Sequence, residues 1–176
     1  AHHRQLHSFP TRRSSDLADP MPVVVDADGD GVNDGLESQV PSLGVPGAVP
    51  GDGNGDGIAD INQASVSSVQ MRSSTNAAST FVTLVAGGVQ GKPGGSQSAV
   101  REIWQDAGPL GLPARMTAPL GYVWFRSSTP QLGGQETFSL YVDPSLTANG
   151  YWVQNKAGTW VNLASPAHGR SEERRV

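Results

Sequence analysis

TFSLYV, residues 137–142, decides the fold class. Its alternation sets Phe138, Leu140 and Val142 on one side and Thr137, Ser139 and Tyr141 on the other, the two-residue period of a half-buried strand. Working outward, the same β-branched and aromatic texture recurs as TFVTLV (80–85), GYVWFR (121–126), YWVQ (151–154) and TWVNL (159–163), each bounded by Gly, Pro or Ser clusters. AVREIWQ (99–105) fits either strand or helix by pattern, and its neighbours favour strand. NKAG (155–158) joins the last two runs and predicts a hairpin with Gly158 at positive φ. Five or six such strands need a second layer to bury their apolar sides, so the expectation is a mostly β chain folded as a two-layer sandwich.

The two ends of the chain have a different character. HSFPTRRSSDL (7–17) resembles a translated reading frame of a sequencing-library adapter, and RSEERRV (170–176) resembles its reverse complement. Residues 1–17 and 169–176 are therefore set aside as foreign to the fold. Half of the twelve Lys and Arg residues lie there, so they are not read as a nucleic-acid patch. Between Ala18 and His168 there are thirteen acids and six bases, a net charge of −7, and eight of those acids fall between Asp26 and Asp60. A charge so local points to a cation rather than to general acidity. About 150 residues suffice for one β domain with a small appendage. The chain has no cysteine, which excludes disulfides, thiolate metal sites and a Cys nucleophile. No apolar run approaches the ~20 residues of a membrane helix, and no signal peptide is visible.

The acids are concentrated in two loops. In DADGDGVNDGLE (26–37), like charges ~5 Å apart cost roughly 3 kcal/mol per pair at an effective dielectric near 20, so the loop calls for a counter-ion. Counted from Asp26, positions 1, 3, 5, 7, 9 and 12 match the calcium-loop pattern. Asp26, Asp28 and Asp30 supply carboxylates, Val32 its carbonyl, Asp34 a direct or water-mediated oxygen, and Glu37 a bidentate carboxylate. Gly31 falls at the sharp turn, where a Cβ is disfavoured. GDGNGDGIADINQ (51–63) repeats the frame with Asp52, Asn54, Asp56, the Ile58 carbonyl and Asp60, but it ends on Gln63. Gln cannot chelate as a charged bidentate group, so the second loop is expected to bind more weakly or to borrow a carboxylate. An all-oxygen set of this size suits Ca²⁺ better than Mg²⁺ or zinc. PSLGVPGAVP (41–50) separates the loops and leaves room for no more than one or two helical turns.

The paired Asp-rich loops resemble the aspartate-rich repeats of thrombospondin type 3. They are unlike dockerins, because the proline-rich stretch leaves no well-formed helix between the copies. GDGNGDGIADINQASVSSVQ, followed by TFVTLV, GYVWFR, LGGQETFSLYV and the Tyr/Trp hairpin, resembles the choice-of-anchor U domain of bacterial secreted and surface proteins. The likeness covers roughly residues 52–163. It implies an exported module with no assigned catalysis, carried near an anchoring signal, with an immunoglobulin- or fibronectin-like sandwich. The Gly/Asp-rich stretch and closing strand that the resemblance implies after the hairpin are not found before RSEERRV, so the expectation includes a sandwich short of an edge strand. The expected layout is a calcium-loop segment over 18–65 and a β-sandwich over 66–168.

Little in the sequence points to catalysis. All four histidines lie in or beside the end segments. Outside the loops, the acids Glu102, Asp106, Glu136 and Asp143 show no spacing that fixes a pair, and HExxH, GxSxG, P-loop and dinucleotide motifs are missing. Trp104, Trp124, Trp152 and Trp160 are read first as core or cap residues. Stacking on sugars is the alternative, which would make the chain a carbohydrate-binding module or a non-catalytic part of an extracellular hydrolase. The expected partners are calcium and the neighbouring domains of a larger surface protein, with no nucleic acid and no membrane span in this stretch.

Overall fold

The structure is a computed structural model that describes residues 24–45, 48–73, 78–87, 97–106, 112–114, 116–133, 136–146, 150–155 and 157–162. Both end segments set aside above lie outside the described residues. The chain is mostly β and sandwich-like. Among the described residues one short helix, α1 (Asp34–Glu37), and a 3-10 turn (Asp60–Asn62) precede seven strands. The strands are β1 (Val66–Arg72), β2 (Ser79–Ala86), β3 (Ala99–Asp106), β4 (Tyr122–Ser128), β5 (Phe138–Val142), β6 (Trp152–Gln154) and β7 (Trp160–Asn162). Among the described residues no helix is long and apolar enough to cross a membrane.

All strand pairs are antiparallel, in a sheet ordered β1-β2-β5 and in the pairs β3-β4 and β6-β7. Registers Val69↔Val82↔Val142 and Leu84↔Leu140 bring the apolar sets of three strands onto one face. Met71, Val82, Leu84 and Ala86 from that face meet Val100 and Ile103 of β3, with Leu120, to form the core. Val100 and Ile103 are three apart, yet both point inward because the ladder is irregular between Val100 and Glu102. Arg101 is the extra residue of this bulge, and such a residue re-aims its neighbours.

The segment before β1 is part of this body. Val32 belongs to the buried core cluster and Leu36 packs against it, so the first loop and α1 are anchored by apolar contacts. The proline-rich stretch folds onto the second loop through Leu43 N–H and Gly44 N–H, which both donate to the Gly53 carbonyl, at 2.9 and 3.0 Å. Gly44 is required there, because a Cβ would stand 1.9 Å from the Asn54 carbonyl oxygen.

The strand at 99–105 and the antiparallel pairing of β6 with β7 form as expected, with Gly158 at φ 78°. β1 was not among the strands read from the sequence. The tryptophans require a correction. None of the four lies in the core, since Trp104, Trp124 and Trp152 are 39, 48 and 39% exposed and Trp160 is half-buried. On β3 and β4 the inward positions are held by Ile103 and Val123, so alternation turns Trp104 and Trp124 to the outer face.

Candidate metal centre

Loop one and loop two share one hydrogen-bonding plan. At position 1, Asp26 accepts from Gly29 and Gly31 N–H at 2.8 and 3.1 Å, and Asp52 accepts from Gly55 and Gly57 N–H, both at 2.8 Å. At position 3, Asp28 accepts from Asp30 N–H, as Asn54 does from Asp56 N–H, both at 3.2 Å. At position 5, Asp30 accepts from Val32 N–H at 2.7 Å, and Asp56 from Ile58 N–H at 2.9 Å. At position 9, Asp34 accepts from Ala27 N–H, as Asp60 does from Gly53 N–H. Short Asp and Asn side chains suit these turns because they reach backbone two to five residues on. The backbone takes both oxygens of Asp26, Asp52 and Asp60, and one oxygen of Asp28, Asp30, Asp34 and Asp56.

In loop one three buried carboxylate oxygens, on Asp28, Asp30 and Glu37, are left without a donor. Ligand oxygens of Asp26, Asp28 and Asp30 lie within 4.8 Å of one another. Oδ2 of Asp28, Oδ2 of Asp30 and Oε2 of Glu37 are buried without a hydrogen-bond partner. Asp30 and Glu37 are completely buried, and Glu37 spends its other oxygen on Ser68 N–H at 3.1 Å. Burial, helped by Asp30 and then Asp28, pushes the Glu37 carboxyl up to about 9. Burial also raises Asp30 to about 6, against the lowering influence of Ser67 and the Val32 N–H. Asp28 is raised as well, again mainly by burial. Unpaired buried carboxylates are costly, and a cation at their centre removes that cost. With oxygen donors alone and no imidazole or thiolate, the residues fit a hard metal ion.

Loop one is held in place by the β3 bulge. A Cβ at Gly31 would stand 2.5 Å from the Arg101 carbonyl oxygen, and the Arg101 guanidinium donates to the Gly29 carbonyl at 3.4 Å. Val32 buries its side chain in the core, which fixes the backbone beside the cluster.

Loop two brings Asp52, Asn54, Asp56, Ile58 and Gln63 together, but not around unpaired oxygens alone. Gln63 Nε2 donates to Asp56 Oδ1 at 3.2 Å and to the Ile58 carbonyl at 3.1 Å, while Gln63 Oε1 is buried without a partner. Asp60 turns toward β1, where Ser68 Oγ donates to it at 2.5 Å and in turn shares a hydrogen with Thr83 Oγ1 at 2.6 Å. Burial raises Asp60 to about 7 against these hydrogen bonds.

The sequence reading missed Ser67, Ser68 and Thr83, all fully buried. Ser67 and Ser68 are adjacent on β1 and point to opposite faces, Ser67 beside Asp30 and Ser68 onto Asp60. Their signal is two consecutive small polar residues inside VSSVQMR, an otherwise ordinary strand. No protein-family model, curated protein or solved structure matches this chain.

Proposed function

We propose that this chain is a calcium-binding structural module of a secreted or cell-surface bacterial protein. Ca²⁺ would be held in loop one by Asp26, Asp28, Asp30, Glu37 and the Val32 carbonyl, with Asp34 closing the loop. The observation that supports this most directly is the set of three buried, donor-free carboxylate oxygens on Asp28, Asp30 and Glu37. A hard divalent ion that takes six to eight oxygens is the partner such a set lacks. Binding to the folded form alone would stabilise it by about 2.7 kcal/mol at a hundredfold excess over Kd. Extracellular calcium modules work at ~10⁻⁴ to 10⁻³ M, which suits a surface location. Because Val32 and Leu36 join the sandwich core, the ion would rigidify the entrance to the β domain and hold neighbouring domains at a fixed spacing.

The module does no chemistry on this reading. Away from the loops, Glu102 pairs with Arg126 at 3.3 Å, Glu136 accepts from Ser98 and from Thr137 N–H, and Asp143 caps Ser145 N–H. These acids serve structure. Calorimetric titration with calcium, together with melting in calcium and in EDTA, tests the proposal. Binding heat and a higher Tm in calcium are expected, and an unchanged Tm with no heat at millimolar calcium would reject it. Exchanging Asp28 and Asp30 for Asn should abolish most of the affinity.

One observation favours a second reading, saccharide binding. Trp104 and Trp124 form a cross-strand pair with centroids 6.2 Å apart and planes within 9°, on the outer face of β3-β4. Tyr122 and Trp160 continue the row, with centroids 5.7 Å apart and planes within 13°. Exposed rings flanked by Glu102, Asp106 and Arg126 offer apolar faces beside hydrogen-bonding groups. Quenching or blue-shift of tryptophan fluorescence by oligosaccharides would support it, and no change across a glycan panel would dismiss it.

A further inference from the structure

We infer that loop two is a metal-independent copy of loop one, in which the neutral side-chain amides of Asn54 and Gln63 supply hydrogen-bond donors at the place where loop one would hold calcium. The inference deepens the calcium reading of loop one and rests on it for the contrast.

The two loops have equivalent backbone bonds at positions 1, 3, 5 and 9, so their frames are not what separates them. Among the positions that offer side-chain ligands they differ at 3 and 12, where Asp28 and Glu37 become Asn54 and Gln63. Both replacements swap an acceptor-only carboxylate for a group with two N–H donors. The donors go where the pattern would place a cation. Asn54 Nδ2 donates to Asp56 Oδ2 at 3.0 Å and Gln63 Nε2 donates to Asp56 Oδ1, so both oxygens of the position-5 carboxylate are satisfied. The corresponding residue in loop one, Asp30, keeps a buried oxygen with no donor. Gln63 Nε2 also reaches the Ile58 carbonyl, so it sits between two groups that the loop pattern assigns to an ion.

The Gln63 amide closes on Asp56 and Ile58 through Nε2, while its Oε1 stays buried without a partner. A half-turn would set Oε1 against Asp56 Oδ1 and the Ile58 carbonyl, three acceptors with no donor, which is tolerable only around a cation. An ion entering loop two must therefore displace two amide hydrogen bonds and turn a side chain that is 6% exposed. The loop is also enclosed, since Gly44 and Val45 lie against Asn54 and Gly55. Loop two thus forms without metal, and it supports β1 through Asp60 and Ser68 before calcium arrives.

Hydrogen exchange and ion counting on the whole chain test this. At roughly 10 mM calcium, above the ~10⁻⁴ to 10⁻³ M range of extracellular sites, one ion per chain is expected. In EDTA the amides of Gly55, Gly57 and Ile58 should keep their protection, while those of Gly29, Gly31 and Val32 should exchange at least about tenfold faster than in calcium. Two ions of similar affinity, or equal calcium-dependent protection in both loops, would overturn the inference and leave the calcium function intact. No ion at all, with loop two still protected, would instead remove the calcium reading of loop one. The double variant Asn54→Asp, Gln63→Glu should bind one more ion than the wild type and lose loop-two protection in EDTA. Failure of that variant to gain an ion while folded in calcium would also overturn the inference. If it does not fold, the wild-type exchange pattern decides alone.

Discussion

Glu37→Gln should change the sign of its effect on stability when calcium is added. The Glu37 carboxyl is fully buried, one oxygen accepts from Ser68 N–H, and the other has no donor. Burial first, and Asp30 second, raise its pKa from the usual 4.5 to about 9. Below 4.5 folded and unfolded chains both hold the proton, so the group is neutral to stability. As pH rises from 4.5 to about 9 the unfolded chain loses a proton that the folded one retains, and the ion-free fold is progressively destabilised. At about 1.36 kcal/mol per pH unit the cost at pH 7 reaches about 3 kcal/mol, and relaxation around a coupled acidic cluster reduces it to about 1–2 kcal/mol. Gln keeps an acceptor for Ser68 and needs no proton. In EDTA at pH 7 the variant should therefore be more stable by that amount, with Tm higher by about 4–8 °C per kcal/mol, and the gain should shrink to a few tenths of a kcal/mol near pH 5. In calcium the order reverses, because the wild type gains about 2.7 kcal/mol at a hundredfold excess and the variant lacks the charged, bidentate position. Far-UV circular dichroism melts in EDTA and in calcium, at pH 5 and pH 7, read all four cases. A loss of stability in both EDTA and calcium would show that Glu37 is a structural residue only. An EDTA gain equal at the two pH values would refute the electrostatic reasoning.

Gly31 and Gly57 occupy the same position of their loops with φ of +91° and +92°, yet a Cβ meets the Arg101 carbonyl at 2.5 Å in the first and nothing within 4 Å in the second. Gly57→Ala should cost about 1–2 kcal/mol from the left-handed backbone alone, and Gly31→Ala about twice that; equal losses in urea unfolding would mean loop one is not seated on the bulge. Thr83→Val should cost about 1 kcal/mol, and Ser68→Ala about 1–3 kcal/mol because buried Asp60 loses a donor. The double variant should cost less than the two single losses combined, and strict additivity would show that Asp60, Ser68 and Thr83 are not one network.

The sequence made the strands legible wherever side chains alternate over an apolar face, as in TFSLYV and TFVTLV. It also displayed both loops, because Asp, Asn and Gly at fixed offsets report backbone turns that few other residues make. What it hid depended on packing in three dimensions. VSSVQMR lacks apolar alternation because Ser67 and Ser68 face polar loops on opposite sides of β1, so a strand with both faces buried reads as a weak one. The tryptophans read first as core or cap residues, yet the inward places of Ile103 and Val123 turn Trp104 and Trp124 outward. Gln63 was legible as a departure from the pattern. Its consequence was not, because whether an amide blocks or merely weakens a site depends on which acceptors its N–H groups reach.

β1 also shows how an ion at loop one would act on the sheet. Among the described residues it pairs with β2 on one side only, so its other side presents edge N–H groups that would otherwise invite strand addition. Two side chains cap that edge. Glu37 takes Ser68 N–H at 3.1 Å, and Gln105 takes Arg72 N–H at 2.8 Å from the neighbouring sheet. Only the first cap is a proposed ligand. On the proposed function calcium would draw Glu37 into a fixed sphere and hold its second oxygen against Ser68, whereas Gln105 is held by the carbonyls of Arg72 and Leu120 whatever loop one does. Calcium removal should therefore lower the exchange protection of the Ser68 amide and leave that of Arg72 nearly unchanged, measured by NMR on the same sample before and after EDTA. Equal loss at both amides would mean that the whole edge melts with the loop. No loss at Ser68 would mean that the Glu37 cap is independent of the ion, and the proposed link from metal to sheet would fail.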